Sequence, residues 1–259
     1  RDRRIIRACR ELGVRSVVAH SDEDGDSLPV RLADESFCIG PAATARSYLN
    51  IPNIITAALV TRADAIHPGY GFLSENIYFA EIAEKCHVTF IGPRPEVIAA
   101  MSDKAVAREK MAAAGLPVLP GTNRALRSLE EAQELALDIG YPVILKAAAG
   151  GGGRGMRVVT SEAELGQVFP TAQAEAQGAF GSNQLYMEKY LEHCRHIEVQ
   201  VIGDEHGQMI HLGERDCSIQ RRHQKIVEEA PSPALSAAER ERLGGYAVQG
   251  ARAIGYSNA

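Results

Sequence analysis

The segment that most constrains this chain is Lys146-Ala-Ala-Ala-Gly-Gly-Gly-Gly-Arg-Gly-Met156, a glycine run set between two strand-like stretches, Pro142-Val-Ile-Leu-Lys146 and Met156-Arg-Val-Val-Thr160. Its Gly150-x-Gly152-x-x-Gly155 spacing satisfies the dinucleotide-binding fingerprint, but that motif needs a helix immediately downstream so that the helix N-terminus faces a pyrophosphate. Here a strand follows. The pattern therefore predicts a flap between two strands, with bare N–H groups able to close over phosphate oxygens and Lys146 as a point charge on the same anion. A plain surface turn is the competing reading. It leaves unexplained why a lysine ends an apolar strand, since a charge there is costly unless it meets an anion.

Around this segment the chain alternates helix-like and strand-like patterns. In the first hundred residues, Arg3 to Leu12 places Ile5, Ile6, Cys9 and Leu12 on one helical face, with Gly13 as C-cap and Ser16 to Ala19 as a strand. Residues 53–61 and 74–85 read as helices, with Ser74 as a possible N-cap, and 63–67 and 87–91 as strands. Such alternation predicts a parallel sheet wrapped by helices, with ligand loops at the strand C-termini. A helix at 103–114 opens the next block, and Ser128-x-x-Glu131 and Ser161-x-x-Glu164 are capping boxes for two more. Leu185 to Tyr190 returns to strand. Beyond Leu191 the pattern turns antiparallel: 195–202 alternates, 203–207 is a turn, 208–212 returns, and Ser236-x-x-Glu239 starts a helix toward Ile254.

Several further groups carry chemistry. Lys104 stands near the start of a helix, where a lysine is usually solvated. Met187-Glu-Lys-Tyr-Leu191 is a strand whose backbone donors and acceptors suit an adenine edge, and is equally read as an ordinary half-buried strand. His196-x-Glu198 and Gln220-Arg-Arg-His-Gln-Lys225 supply imidazole, carboxylate, amide and ammonium groups for a ribose or a small anion such as bicarbonate, against the alternative of a solvated basic face. The histidines lack metal-ligand spacing, so no zinc site is expected. His67-Pro-Gly-Tyr-Gly-Phe-Leu-Ser-Glu-Asn76 follows a strand and reads as either a ligand loop or a rigid turn.

Composition narrows the function classes. With a net charge of −5, no Trp and 5% aromatic residues, the chain has no broad basic, stacking surface for nucleic acid. No apolar run approaches the ~20 residues of a membrane helix. Five cysteines (Cys9, Cys38, Cys86, Cys194, Cys217) without C-x-x-C spacing argue against a disulfide framework and predict a reducing cytoplasm.

Five of these segments taken in order resemble the biotin carboxylase component of biotin-dependent carboxylases: His67 to Asn76, Lys146 to Met156, Met187 to Glu192, Arg195 to Gln200, and Glu214 to Lys225. The resemblance runs from about Arg4 to Ala259. It implies an α/β fold with an N-terminal doubly wound (pre-ATP-grasp) domain over 1–102, a linker helix and ATP-grasp lid over 103–190, and the first, incomplete part of a C-terminal ATP-grasp subdomain over 191–259. The implied reaction is the ATP-dependent conversion of bicarbonate to carboxyphosphate, followed by carboxylation of biotin on a carrier protein. By motif position Lys104, Lys146, Gly152, Gly153, Glu188, Lys189, Leu191, His196, Gln220 and His223 would be nucleotide contacts, and Lys225 would hold bicarbonate. A biotin carboxyl carrier protein, a carboxyltransferase and a second copy, met through Arg7 and Glu11, are the implied partners.

Compared with the family pattern, the chain starts after a first strand and an Asn-Arg-Gly-Glu turn and stops before the carboxylates that bind Mg2+. It is therefore expected to be inactive alone and to leave a sheet edge unpaired and an apolar face partly uncovered. A related ligase such as carbamoyl-phosphate synthetase, and a non-catalytic nucleotide-binding or dimerisation module, are the alternatives.

Overall fold

The protein is described by a computed structural model for residues 2–122, 124–148, 155–221 and 224–258, with only the backbone described at 104 and 105. The chain divides into two compact units, Arg1–Ala99 with Ser257–Ala259, and Ala100–Tyr256.

In the first unit, α1 (Asp2–Glu11) buries Ile6 and half-buries Ile5 and Cys9, leaving its arginines in solvent. Arg7 and Glu11 are both on that exposed side. Leu12, expected on the apolar face, is 78% exposed, because the helix stops one residue earlier. There Gly13 takes φ +70° and Val14 N–H closes on the Cys9 carbonyl at 2.8 Å, a left-handed cap. β1 (Val17–Ser21) pairs in parallel with β2 (Glu35–Gly40), and α2 (Leu28–Leu32) bridges them. α3 (Ile51–Val60), β3 (Ala65–Ile66), α4 (Ile77–Lys85), β4 (Thr89–Phe90) and α5 (Pro95–Ser102) follow.

β3 and β4 also pair in parallel, so the expected sheet is present among the described residues as two separate parallel pairs. The cap of α4 is Asn76 and not Ser74: Asn76 Oδ1 accepts Phe79 N–H at 2.9 Å. Ile55, Leu73, Phe79, Ala80, Ala83, Phe90 and Ile98 form this unit's core, with Phe79 and Phe90 edge to face.

The second unit opens with α6 (Lys104–Ala113) and α7 (Leu129–Ile139). A sheet then forms from β5 (Val143–Ala147), β6 (Met156–Val159) and, after α8 (Glu162–Phe180), β7 (Leu185–Lys189), antiparallel in the order β6-β5-β7. Side chains alternate across a strand. Val143, Leu145, Ala147, Leu185 and Met187 accordingly share one face and pack with Leu165, Phe169, Ala172 and Ala176 of α8. Each fully buried leucine stabilises the fold by roughly 1.5–3 kcal/mol.

The chain then runs through β8 (Ile197–Gly203), β9 (Met209–Arg221) and β10 (Gln224–Glu229), antiparallel in the order β10-β9-β8, to α9 (Ala237–Ala253). α9 starts on a complete Ser236–Glu239 capping box. At Ser128 and Ser161 only half of the expected box forms, because Glu131 turns to Arg124 and the Arg127 N–H, and Glu164 to Thr160. Ile210, Leu212, Ile219 and Ile226 are more than half exposed on the β8–β10 sheet. Among the described residues no helix is long and apolar enough to cross a membrane.

Candidate functional site

The face of the β6-β5-β7 sheet that does not pack on α8 carries Ile144 and Lys146 from β5 and Tyr186 and Glu188 from β7. Lys146 stands directly opposite Tyr186, with its ammonium 5.8 Å from the ring centroid. It donates diagonally to Glu188 Oε2 at 2.5 Å. Burial, then the nearby Glu188 charge, pushes the Tyr186 phenol well above its usual range. Tyr186 is therefore a neutral platform under the ammonium. The strands on either side of the glycine run pair with each other, as the flap reading requires, while Gly152 and Gly153 lie outside the described residues.

A second cation reaches the same carboxylate from α6. Arg108 Nη1 is 3.8 Å from Glu188 Oε1, and Nη2 donates to the Leu119 carbonyl. Lys104 lies one turn earlier on α6, with its side chain outside the description.

The connector before α7 is held along β7. Thr122 N–H donates to the Met187 carbonyl at 2.8 Å, Met187 N–H to Thr122 Oγ1 at 3.0 Å, and Lys189 N–H to the Pro120 carbonyl at 2.8 Å. Gly121 is required at the bridge to Glu188, since a Cβ there would sit 2.6 Å from the Met187 oxygen. The Lys189 ammonium is not grouped with Lys146 and Glu188. It donates to the Gly140 and Tyr141 carbonyls, both at 2.9 Å, at the end of α7. Leu191 is 44% exposed just beyond β7.

A second cluster lies on the β8–β10 sheet. Glu198 accepts from Arg215 Nε at 2.5 Å across the β8–β9 ladder and from Lys225 on β10. Burial alone would raise Glu198, but the hydrogen bonds from Lys225 and Arg215 outweigh it and hold the carboxyl below its usual range. The bond to Glu198 lifts Lys225 above its own. His196 Nδ1 lies 2.7 Å from Gln220 Nε2, which also donates to the Cys217 carbonyl at 2.9 Å. His223 lies outside the described residues.

Beneath the cluster, Glu214 and Asp216 are buried carboxylates. Arg240 Nε and Ser232 N–H donate to Glu214 at 2.7 and 2.9 Å, and Ser232 Oγ and Arg195 Nη1 donate to Asp216 at 3.0 and 3.1 Å.

The structure thus gathers Lys146 with Glu188 on the β6-β5-β7 sheet, and His196, Gln220 and Lys225 on the β10-β9-β8 sheet. Sequence reasoning missed Arg108, Tyr186 and Arg215. The i, i+4 spacing of Lys104 and Arg108 and the alternation of Tyr186 with Glu188 were the available signals.

Two family models match consecutive stretches of the chain: "Biotin carboxylase, N-terminal domain" over residues 2–98, and "Carbamoyl-phosphate synthase L chain, ATP binding domain" over 103–259. The biotin carboxylase of Nostoc sp. is 56% identical over 256 residues, which is 99% of this chain and 57% of that protein. The biotin carboxylase of Campylobacter jejuni, solved as a β,γ-ATP complex, superposes with a TM-score of 0.93 at 54% identity, covering 99% of this chain and 57% of that one. The biotin carboxylase domain dimer of Hydrogenobacter thermophilus 2-oxoglutarate carboxylase, solved with MgADP, ADP and bicarbonate, gives 0.90 at 49% identity, covering 99% and 56%. The chain spans little more than half the length of these relatives. An N-terminal α/β unit followed by part of an ATP-grasp fold is the architecture they share with it, and the chain belongs to the biotin carboxylase family.

Proposed function

We propose that this chain supplies the nucleotide- and bicarbonate-binding residues of a biotin carboxylase: ATP phosphorylates bicarbonate, and the resulting carboxyphosphate carboxylates biotin on a carrier protein that a carboxyltransferase then serves. The observation that carries this reading is Lys146, placed at the end of β5 where the chain enters the glycine run and held by Glu188 on the face of that sheet turned away from α8. An ammonium beside a run of bare N–H groups suits a polyphosphate.

In this reading residues 103–190, which follow an N-terminal domain of 1–102 in the chain, act as linker helix and lid over a floor formed by 191–259. The backbone around Glu188 to Leu191 meets the purine. Lys189 takes part through its main chain, because its ammonium is spent on α7. Lys104, Gly152, Gly153, His196, Gln220 and His223 complete the nucleotide contacts, and Lys225, held ready by Glu198, takes the bicarbonate. The exposed face of α1 with Arg7 and Glu11 meets a second copy, and five free thiols suit a reducing cytoplasm.

Mg2+ is implied by the family. Among the described residues one group of potential ligands comes together, Glu198, Cys217 and Glu228, with ligand atoms within 4.8 Å of one another. It does not fit: Mg2+ takes oxygen ligands in an octahedron, whereas this group offers a thiol raised by burial and a carboxylate already bound by two cations. No step is assigned to a metal at these residues.

The test compares ATP with adenosine. Lys146→Ala is expected to weaken ATP by about 1.5–3 kcal/mol, the value of a charge-assisted hydrogen bond, and adenosine far less. Equal loss for both ligands would remove Lys146 from the phosphate site. In a protein of the relatives' full length, biotin-stimulated ADP release that requires bicarbonate is the activity expected.

A further inference from the structure

Glu188 is a carboxylate between two cations that differ in freedom. Lys146 meets Oε2 on a flexible four-carbon stem. Arg108 faces Oε1 from α6, with its guanidinium tethered to the Leu119 carbonyl. The side chains of Arg108 and Glu188 are only 11% and 15% exposed, so this charge balance is set inside the protein and not by solvent. Arg108 Nε–H is buried and has no acceptor among the described residues, so the guanidinium holds donor capacity in reserve. Arginine also stays charged at every working pH, whereas an ammonium is the more mobile point charge.

We propose that Arg108 is a positioning residue that keeps Glu188 neutralised when Lys146 turns to a polyphosphate. The idea rests on the reading of Lys146 given above. In the free protein Lys146 is spent on Glu188. Moving that ammonium to an anion would strand a largely buried carboxylate beside the incoming negative charge, and an unpaired charge of that kind is costly. Arg108 removes the cost by retaining Glu188. It thereby lowers the free energy needed to release Lys146, without touching the nucleotide itself.

A double-mutant cycle on the folded chain tests this, with ATP and adenosine affinities measured by calorimetry for wild type, Arg108→Met, Glu188→Gln and the double variant. Arg108→Met is expected to weaken ATP about tenfold, as for loss of one charge-assisted contact, and adenosine less than about twofold. In the Glu188→Gln background the same substitution is expected to leave ATP affinity nearly unchanged, because no carboxylate remains to trap the lysine. Arg108→Gln, closer in polarity, serves in parallel should Arg108→Met fail to fold.

An equal loss of ATP affinity in both backgrounds would overturn the proposal, since Arg108 would then meet the phosphates directly. So would equal losses for ATP and adenosine, the mark of a purely structural residue. Lys146→Ala, measured alongside, separates the two layers. If it leaves the preference for ATP over adenosine intact, the reading of Lys146 fails and the proposal falls with it. If it removes that preference while Arg108→Met has no effect, only the role of Arg108 is overturned.

Discussion

The backbone N–H of His196 donates to Ser218 Oγ at 3.0 Å, while its carbonyl accepts the Cys217 N–H at 2.7 Å. This continues the β8–β9 pairing one residue past Ile197 and turns the imidazole toward Gln220. Ser218 is itself fixed, its N–H and Oγ–H both donating to Asp216 Oδ1, at 3.1 and 2.5 Å. The orientation of a candidate nucleotide contact therefore rests on a buried carboxylate two hydrogen bonds away.

That dependence has a pH signature. The hydrogen bond from the Ser218 hydroxyl, opposed by burial and aided by Ser218 N–H, Ser232 and Arg195, lowers Asp216 from 3.8 to about 2. A carboxyl with a depressed folded-state value contributes stability that is full above its unfolded value and is lost as pH falls through the folded one. Asp216→Asn should therefore be less stable than wild type at neutral pH, with the gap narrowing as pH drops from about 4 toward 2. Urea denaturation across that range measures it. A gap independent of pH would show that Asp216 acts through shape alone.

Lys225 and Glu198 form the second pH-sensitive pair. Because the hydrogen bonds from Lys225 and Arg215 overcome the effect of burial on Glu198, Lys225→Gln removes one of them and lets burial count for more. The Glu198 carboxyl should then titrate at higher pH, read by carbon NMR of labelled glutamate, while ATP affinity changes little. In a protein of the relatives' full length the same substitution should weaken the dependence of ATP cleavage on bicarbonate. An unmoved Glu198 titration would separate the two side chains.

Gly244 tests how closely α9 lies on β9. A Cβ at this position would fall 2.5 Å from the His211 ring, whose Nδ1 is buried without a partner among the described residues. Replacing a helical glycine by alanine favours the helix by about 1 kcal/mol, and overpacking a filled contact costs about 1–3 kcal/mol. Gly244→Ala should therefore destabilise the protein in thermal melts. In a His211→Ala background the obstacle is gone and the same change should stabilise it. Destabilisation of equal size in both backgrounds would place the obstacle elsewhere.

The sequence by itself determined the elements whose rules are local. The two-residue alternation of 143–147 and 185–189 sorted Leu145 and Met187 from Lys146 and Glu188, and serine three residues before glutamate marked the starts of α7, α8 and α9. The motifs around Lys146 and Lys225 were legible for the same reason, since residue type and spacing carry them. β2 was not legible, because Glu35–Gly40 becomes a strand by pairing with β1.

The charges, too, needed the tertiary structure. Glu214 and Asp216 look like solvent residues on an alternating strand, but Arg240, Ser232 and Arg195, all distant in sequence, satisfy them and permit their burial. Lys189 and Glu188 are adjacent in the chain, yet the pleat sends the ammonium to the carbonyls ending α7 and the carboxylate to Lys146 and Arg108. Periodicity is set within a few residues, whereas the partner of a buried charge depends on which elements the fold brings alongside it.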